Sequence, residues 1–171
     1  GEDVTPESLG GPQVAVASGV VHDVVADDAA AIARARAWLG HLGGTVMTGA
    51  DTGPRRLDDL LTVIPPDPRR PYPMIEVVER LADDGAALVI APGFGGGMLT
   101  ALLRLGGRSV AVVANDPSVR AGAIGRDEAD KAGRFLDTVA PFGLPAVFLA
   151  DNPGVMAGTR AERDGVLRAA A

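Results

Sequence analysis

Ala146-Val-Phe-Leu-Ala-Asp-Asn-Pro-Gly-Val-Met-Ala-Gly-Thr-Arg-Ala-Glu162 places a short apolar run before a proline-fixed turn and then a helix start. Ala146 to Ala150 is a brief continuous apolar segment, which predicts a buried strand. Asp151-Asn-Pro-Gly154 is turn chemistry, because proline fixes φ and the Asx side chains bond their own backbone. Thr159-Arg-Ala-Glu162 has the spacing of a capping box and predicts a final helix still running at Ala171. Strand, loop and helix in that order point to an α/β layered architecture.

The same alternation extends upstream. Ala86 to Ala91 predicts another buried strand, and Leu102–Leu105, Gly106-Gly107 and Ser109–Ala114 predict a hairpin with a two-residue glycine turn. Asp127 is expected to cap a helix whose Ala132, Phe135, Leu136 and Val139 fall on one face. A helix is expected from Pro73, with Ile75, Val78 and Leu81 or Ala82 inward. Nearer the start, Val14 to Val25 is β-branched and predicts one or two strands broken at Ser18-Gly19. Asp27 or Asp28 then caps a helix with an apolar stripe of Ile32, Ala35, Leu39 and Leu42, closed by Gly40 and Gly43-Gly44. Trp38 and Phe135 are expected in the core.

From Gly43 to Pro73 ten residues are glycine or proline. Only Leu57 to Ile64 is expected to order locally, so the stretch predicts a long connection. A domain boundary is therefore placed in this linker, with one large surface loop as the alternative.

Composition narrows the chemistry. The chain has 171 residues, 47% of them hydrophobic, which suits a packed protein and not a disordered one. It has no cysteine and only His22 and His41, which excludes disulfides, thiolate nucleophiles and histidine-rich metal sites. A net charge of −6 argues against a nucleic-acid surface. No apolar run is long enough for a membrane helix, and a cytoplasmic location is expected.

Three loops follow the predicted strands: Pro92–Gly97, Asn115–Gly125 and Asp151–Gly158. Ligands of α/β proteins gather beyond the carboxyl ends of strands, and glycines let backbone amides approach an anion. A dinucleotide fingerprint from Gly93 would need glycine where Met98 stands, so a plain turn is the better reading; a small nucleotide-binding module on the 93–97 loop remains an alternative. On shape alone Asp151 to Gly154 reads as a plain turn, with Gly154 and Val155 amides that face a developing oxyanion as the alternative. Ser18 and His22 read as structural, Arg69-Arg70 beside Tyr72 as solvated linker charge, and the paired aspartates as caps. Backbone-amide chemistry is what the chain is equipped for.

Taken together, several segments resemble the carboxyltransferase (β) subunit of biotin-dependent acyl-CoA carboxylases. They include Ser18-Gly-Val-Val-His22, Pro66-Asp-Pro-Arg-Arg-Pro-Tyr72, Leu105-Gly-Gly-Arg108 and Val112-Val-Ala-Asn115. Ala121-Gly-Ala123, Ala129-Asp-Lys-Ala-Gly-Arg-Phe135 and Phe148-Leu-Ala-Asp-Asn-Pro-Gly-Val-Met-Ala-Gly158 follow in the family's order. Asn152, Val155, Asp116 and Pro141 depart from the residues usual there.

The resemblance implies a crotonase-like (ClpP/crotonase) α/β fold present twice in the full subunit, residues 1–42 ending one copy and 72–171 opening the next. It implies carboxyl transfer from carboxybiotin, carried on a biotin carboxylase or biotin carboxyl carrier partner, to the α-carbon of an acyl-CoA. It also implies a homo-oligomer, a hexamer in the family. The carry-over gives Gly154 and Val155 the catalytic role and Gly122, Ala123 and Gly158 the biotin side; no metal is expected. The family's best-known paired glycines align outside residues 1–171. The chain is thus expected to be a central fragment, inactive alone, with a non-catalytic interaction piece of a carboxylase as a further alternative.

Overall fold

A computed structural model describes residues 2–43, 58–83 and 86–171. The helices are α1 (Pro6–Gly10), α2 (Pro12–Ala17), α3 (Asp28–Leu42), α4 (Leu60–Val63), α5 (Met74–Leu81), α6 (Arg126–Val139), α7 (Thr159–Arg163) and α8 (Val166–Ala170). The strands are β1 (Leu88–Ile90), β2 (Met98–Leu105), β3 (Arg108–Asn115) and β4 (Ala146–Leu149). They form one sheet in the order β1-β2-β3-β4, antiparallel except for the parallel β3–β4 pair.

Alternation along the hairpin builds the layers. Ala101, Leu103, Val110, Val112 and Ala114 face α5, where Tyr72, Met74, Val77, Val78 and Ala82 complete one apolar cluster. Leu102, Ala111 and Val113 face the opposite way and pack with Ile90, Met98, Phe135 and Val139. Leu102 and Ala111 are fully buried. Gly106 and Gly107 turn the hairpin with φ of 58° and 73°, the left-handed pair that a two-residue turn with the strands' own twist requires.

The amino-terminal part differs from its sequence reading. The expected strands of Val14–Val25 are absent: Pro12 opens α2, and Ser18–His22 form turns. Proline's fixed φ and the α1–α2 packing override the β-branched valines there. Helix α3 is capped by Asp27, whose carboxylate accepts from the Ala30 amide at 2.8 Å. Its stripe is turned round, with Ile32 and Leu39 55% and 67% exposed. The face on the sheet instead carries Arg34, which donates to the Val89 carbonyl, Trp38 against the second apolar cluster, and His41 beside Ser109 Oγ at 3.2 Å. Arg104 donates to the Gly40 carbonyl at 2.6 Å, so polar contacts to a strand and its turn decided which face docks.

Three expectations in the second half also change. Asp127 is not the cap of α6: Gly125 stands there, and Glu128 accepts its amide at 3.1 Å. Thr159 is the first residue of α7 after Gly158, and the helix breaks at Gly165 before α8. Strand β4 is an edge strand with Phe148 61% exposed, since only β3 pairs with it. About half of the expected linker, residues 44–57, lies outside those described, and the rest carries the short helix α4.

Candidate functional site

Strand directions bring the three glycine-bearing loops to one end of the sheet. β1 and β3 each run antiparallel to β2, and β4 runs parallel to β3. The carboxyl ends of β1, β3 and β4 therefore share an edge, as the sequence reading requires. Direct bonds join the loops. The Asp116 amide donates to the Gly97 carbonyl at 2.9 Å. Asn115, buried at the end of β3, donates to the Gly122 carbonyl at 3.1 Å and accepts from Asn152 Nδ2 at 2.8 Å. Gly122 sits so close to the third loop that a Cβ there would lie 2.4 Å from the Asp151 carbonyl oxygen. With a φ of 74°, that position excludes larger residues twice over.

Accounting for the amides separates the predicted site residues. The Gly122 amide donates to Val119 O at 2.9 Å and the Ala123 amide to Arg120 O at 3.1 Å. The Gly154 amide donates to Asn152 Oδ1 at 2.8 Å. These three are occupied internally. Val155 forms an isolated parallel bridge with Ile124, in which Ile124 N donates to Gly154 O at 3.1 Å and Met156 N to Ile124 O at 2.9 Å. Extended backbone alternates its donors, so the Val155 N–H points away from Ile124. Among the described residues neither it nor the Gly158 amide has an acceptor. Met156, Ala157 and Gly158 border a cavity of about 1150 Å³.

That cavity is rich in charge and balanced in sign: Arg120, Arg126, Arg134 and Arg160 line it together with Asp127, Glu128, Asp130 and Asp164. The most buried of these, Glu128, is 1% exposed and accepts from Gly97 N at 3.2 Å, Gly125 N at 3.1 Å and Arg120 Nη2 at 2.5 Å. Lys131, the only lysine of the chain, donates to the Gly95 carbonyl at 3.4 Å. Burial pulls its pKa down to about 8, against the opposing pull of Glu128. On the other side of the third loop, Tyr72 Oη donates to Asp151 Oδ2 at 2.6 Å. Burial, then Asp151 and Asp116, push the phenol up to about 12, so it stays a donor at neutral pH.

The first loop is no phosphate cradle. The Gly97 amide is taken by Glu128, the space at Gly93 by Val16, and β2 follows where a helix would be needed. Ser18 Oγ donates to Ala15 O at 3.2 Å, and Arg69 forms an exposed pair with Asp67 at 3.1 Å. Among the described residues no cluster of histidine and carboxylate groups could hold a metal, and no helix is long and apolar enough to cross a membrane. Sequence reasoning missed Tyr72, Asn115, Arg120 and Glu128. Tyr72 bonds Asp151, 79 residues away, Asn115 bonds Asn152, 37 away, and Glu128 bonds Gly97, 31 away, separations that no local spacing rule reports.

Comparison with known proteins covers the whole chain. The model of the carboxyl transferase domain family matches residues 1–171. The methylmalonyl-CoA carboxyltransferase 12S subunit of Propionibacterium freudenreichii subsp. shermanii is 35% identical over 176 residues, covering 98% of this chain and 33% of that protein. The beta4 subunit of a biotin-dependent long chain acyl-coenzyme A carboxylase from Mycobacterium tuberculosis is 34% identical over 182 residues, covering 98% and 34%. A crystal structure of transcarboxylase 12S, described as a hexamer with methylmalonyl-coenzyme A and methylmalonic acid bound, superposes with a TM-score of 0.92 at 33% identity. It covers 99% of this chain and 34% of that one. The chain thus spans about one third of the length of these relatives. The α/β architecture is the crotonase-like one expected. Neither the nucleotide-binding module, nor the non-catalytic interaction piece, nor the expectation of an inactive chain finds support in these comparisons.

Proposed function

The chain belongs to the carboxyl transferase domain family, and from that premise we propose that it is part of the carboxyltransferase subunit of a cytoplasmic biotin-dependent acyl-CoA carboxylase. The reaction is transfer of a carboxyl group from carboxybiotin to the α-carbon of an acyl-CoA. The observation that carries the reading is the unpaired Val155 amide, held on the loop after β4 whose next residues, Met156 to Gly158, border the large cavity.

The residues fit a neutral cyclic urea. Such a ring needs a backbone donor for its carbonyl oxygen. Val155 N–H supplies the donor, and Gly158 N–H a second open amide. Gly122, packed against the Asp151 carbonyl, and Ala123 have their own amides occupied and shape the neighbouring loop, and Gly154 acts through the carbonyl that accepts Ile124 N. Carboxybiotin, when bound, supplies the carboxyl group. A fixed amide dipole facing the urea oxygen favours charge gathering there as the carboxyl departs, without reorganisation at that moment. The side-chain net of Asn115, Asn152, Tyr72 and Asp151 holds the loop in register and excludes water from its rear.

On this reading residues 1–42 end one crotonase-like domain, 43–71 join the two, and 72–171 open the second. The placing of all four strands within 88–149 supports that division. The partners are a biotin carboxylase or biotin carrier subunit and further copies of the same subunit. The exposed Phe148 and the free edge of β4 are surfaces suited to burial in such an assembly.

The test uses the full polypeptide that contains these residues, with its biotinylated partner. Labelled bicarbonate should enter acid-stable product from propionyl-CoA or acetyl-CoA in an ATP-dependent, avidin-sensitive manner. Absence of label with every acyl-CoA tried, from a folded complex bearing carboxylated biotin, would sink the reading.

A further inference from the structure

Three non-glycine residues among those described adopt left-handed backbone: Ala91, Arg120 and Ala121, with φ of 51°, 50° and 53°. All three lie in the loops at the carboxyl ends of β1 and β3. Strain of this kind persists only where the surroundings over-determine it. At Arg120 the surroundings can be named. Its guanidinium bonds buried Glu128 at 2.5 Å through Nη2 and lies 3.8 Å from Met156 Sδ through Nη1. Met156 follows Val155 directly.

Glu128 is the fixed point of this arrangement. Its carboxylate is 1% exposed and is also held by the amides of Gly97 and Gly125. The place where a Cβ of residue 125 would stand is filled by Glu128 Oε2 at 2.7 Å and Met156 Sδ at 3.5 Å. One charge pair therefore touches all three loops, and on the third loop it touches the residue next to the unpaired amide.

We propose that Arg120, anchored on Glu128, is a positioning residue that presses Met156 against the 120–125 loop and so fixes the direction of the Val155 N–H. The role in turnover rests on the carboxyltransferase reading; the mechanical role does not. Arg120 lines the cavity and its side chain is 51% exposed, so a ligand entering there meets the clamp.

The experiment compares the wild-type full polypeptide with Arg120→Gly, which relieves the backbone strain, and Arg120→Leu, which keeps the bulk without the charge. Hydrogen exchange of residues 154–158 is read beside carboxyl-transfer kinetics. Both variants should exchange in this segment about tenfold faster, the scale of one charge-assisted bond lost. They should lose about tenfold in kcat while the KM for acyl-CoA stays constant. Arg120→Lys should recover part of both. Unchanged exchange at 154–158 in a folded variant overturns the proposal, whatever the activity. Faster exchange in a protein whose wild type transfers no carboxyl group keeps the clamp and removes the carboxyltransferase reading instead. Faster exchange with unchanged kcat removes the link between the clamp and turnover, and overturns the proposal in that part.

Discussion

At one end of the sheet the β2–β3 turn closes over Gly106 and Gly107, and Asp83 accepts their amides at 2.9 and 2.7 Å. At the other end, three loops meet, non-glycine residues sit in left-handed backbone, and the Val155 amide has no acceptor among the described residues. The same strands feed both ends. The difference is how completely the chain satisfies its own donors. A turn with glycine where φ demands it, and a carboxylate where the amides point, has nothing left to offer a ligand. Loops that spend side chains such as Asn152, Glu128 and Arg120 on holding shape leave a donor directed outward, and such a donor has chemical use.

The sharpest way to break this comparison is Val155→Pro, which removes one N–H and no internal bond. The expected loss is about 10²- to 10³-fold in kcat, the scale of one oxyanion donor. Thermal unfolding should stay near wild type. A variant with full turnover would place the chemistry elsewhere.

Lys131 tests whether the loop end stores instability. Its folded pKa of about 8 lies below the ordinary lysine value of 10.5, so burying the ammonium costs stability fully below pH 8. Between those values the folded lysine has released a proton that the unfolded one retains, and stability rises with pH. Lys131→Met should gain about 2–3 kcal/mol at pH 7, because Gly95 O still accepts the Met98 amide. Urea melts should show this advantage shrinking towards pH 10.5.

At the turn end the expected effect is on stability alone. Asp83→Ala exposes two amides to water instead of a carboxylate and should cost about 1–2 kcal/mol, with kcat unchanged. A fall in kcat would mean the two ends are coupled through the hairpin. The smallest effect is expected for Ala121→Gly. Glycine adopts a φ of 53° freely, and denaturation should report a gain of about 1 kcal/mol or less. A loss there would mean that the Ala121 methyl makes a packing contribution larger than its strain.

The hairpin was legible because its signal is local: one glycine pair between two apolar runs leaves few other structures. Helix α6 was legible through Phe135 and Val139, while its start was missed because Glu128 caps Gly125 from inside the helix. The amino-terminal valines were misread since a proline two residues upstream of Val14 decided the backbone. The stripe on α3 was misread for another reason. Its Ile32 and Leu39 have correct spacing for burial, yet Arg34 and His41 find strand partners and turn the helix. Periodicity reports that a helix has a face, and not which face docks.

For the site, the sequence by itself determined that three glycine-bearing loops follow strands and that backbone amides, with no cysteine and two histidines, must do the work. It could nominate Gly154 and Val155 together because they adjoin. Only the tertiary structure decided between their amides: Asn152 takes the Gly154 donor, and the bridge to Ile124 turns the Val155 donor outward. It alone joined Arg120, Glu128 and Met156 into a clamp. The physical reason is that an amide's availability depends on where every neighbouring acceptor lies, and those acceptors come from loops that only the sheet brings together.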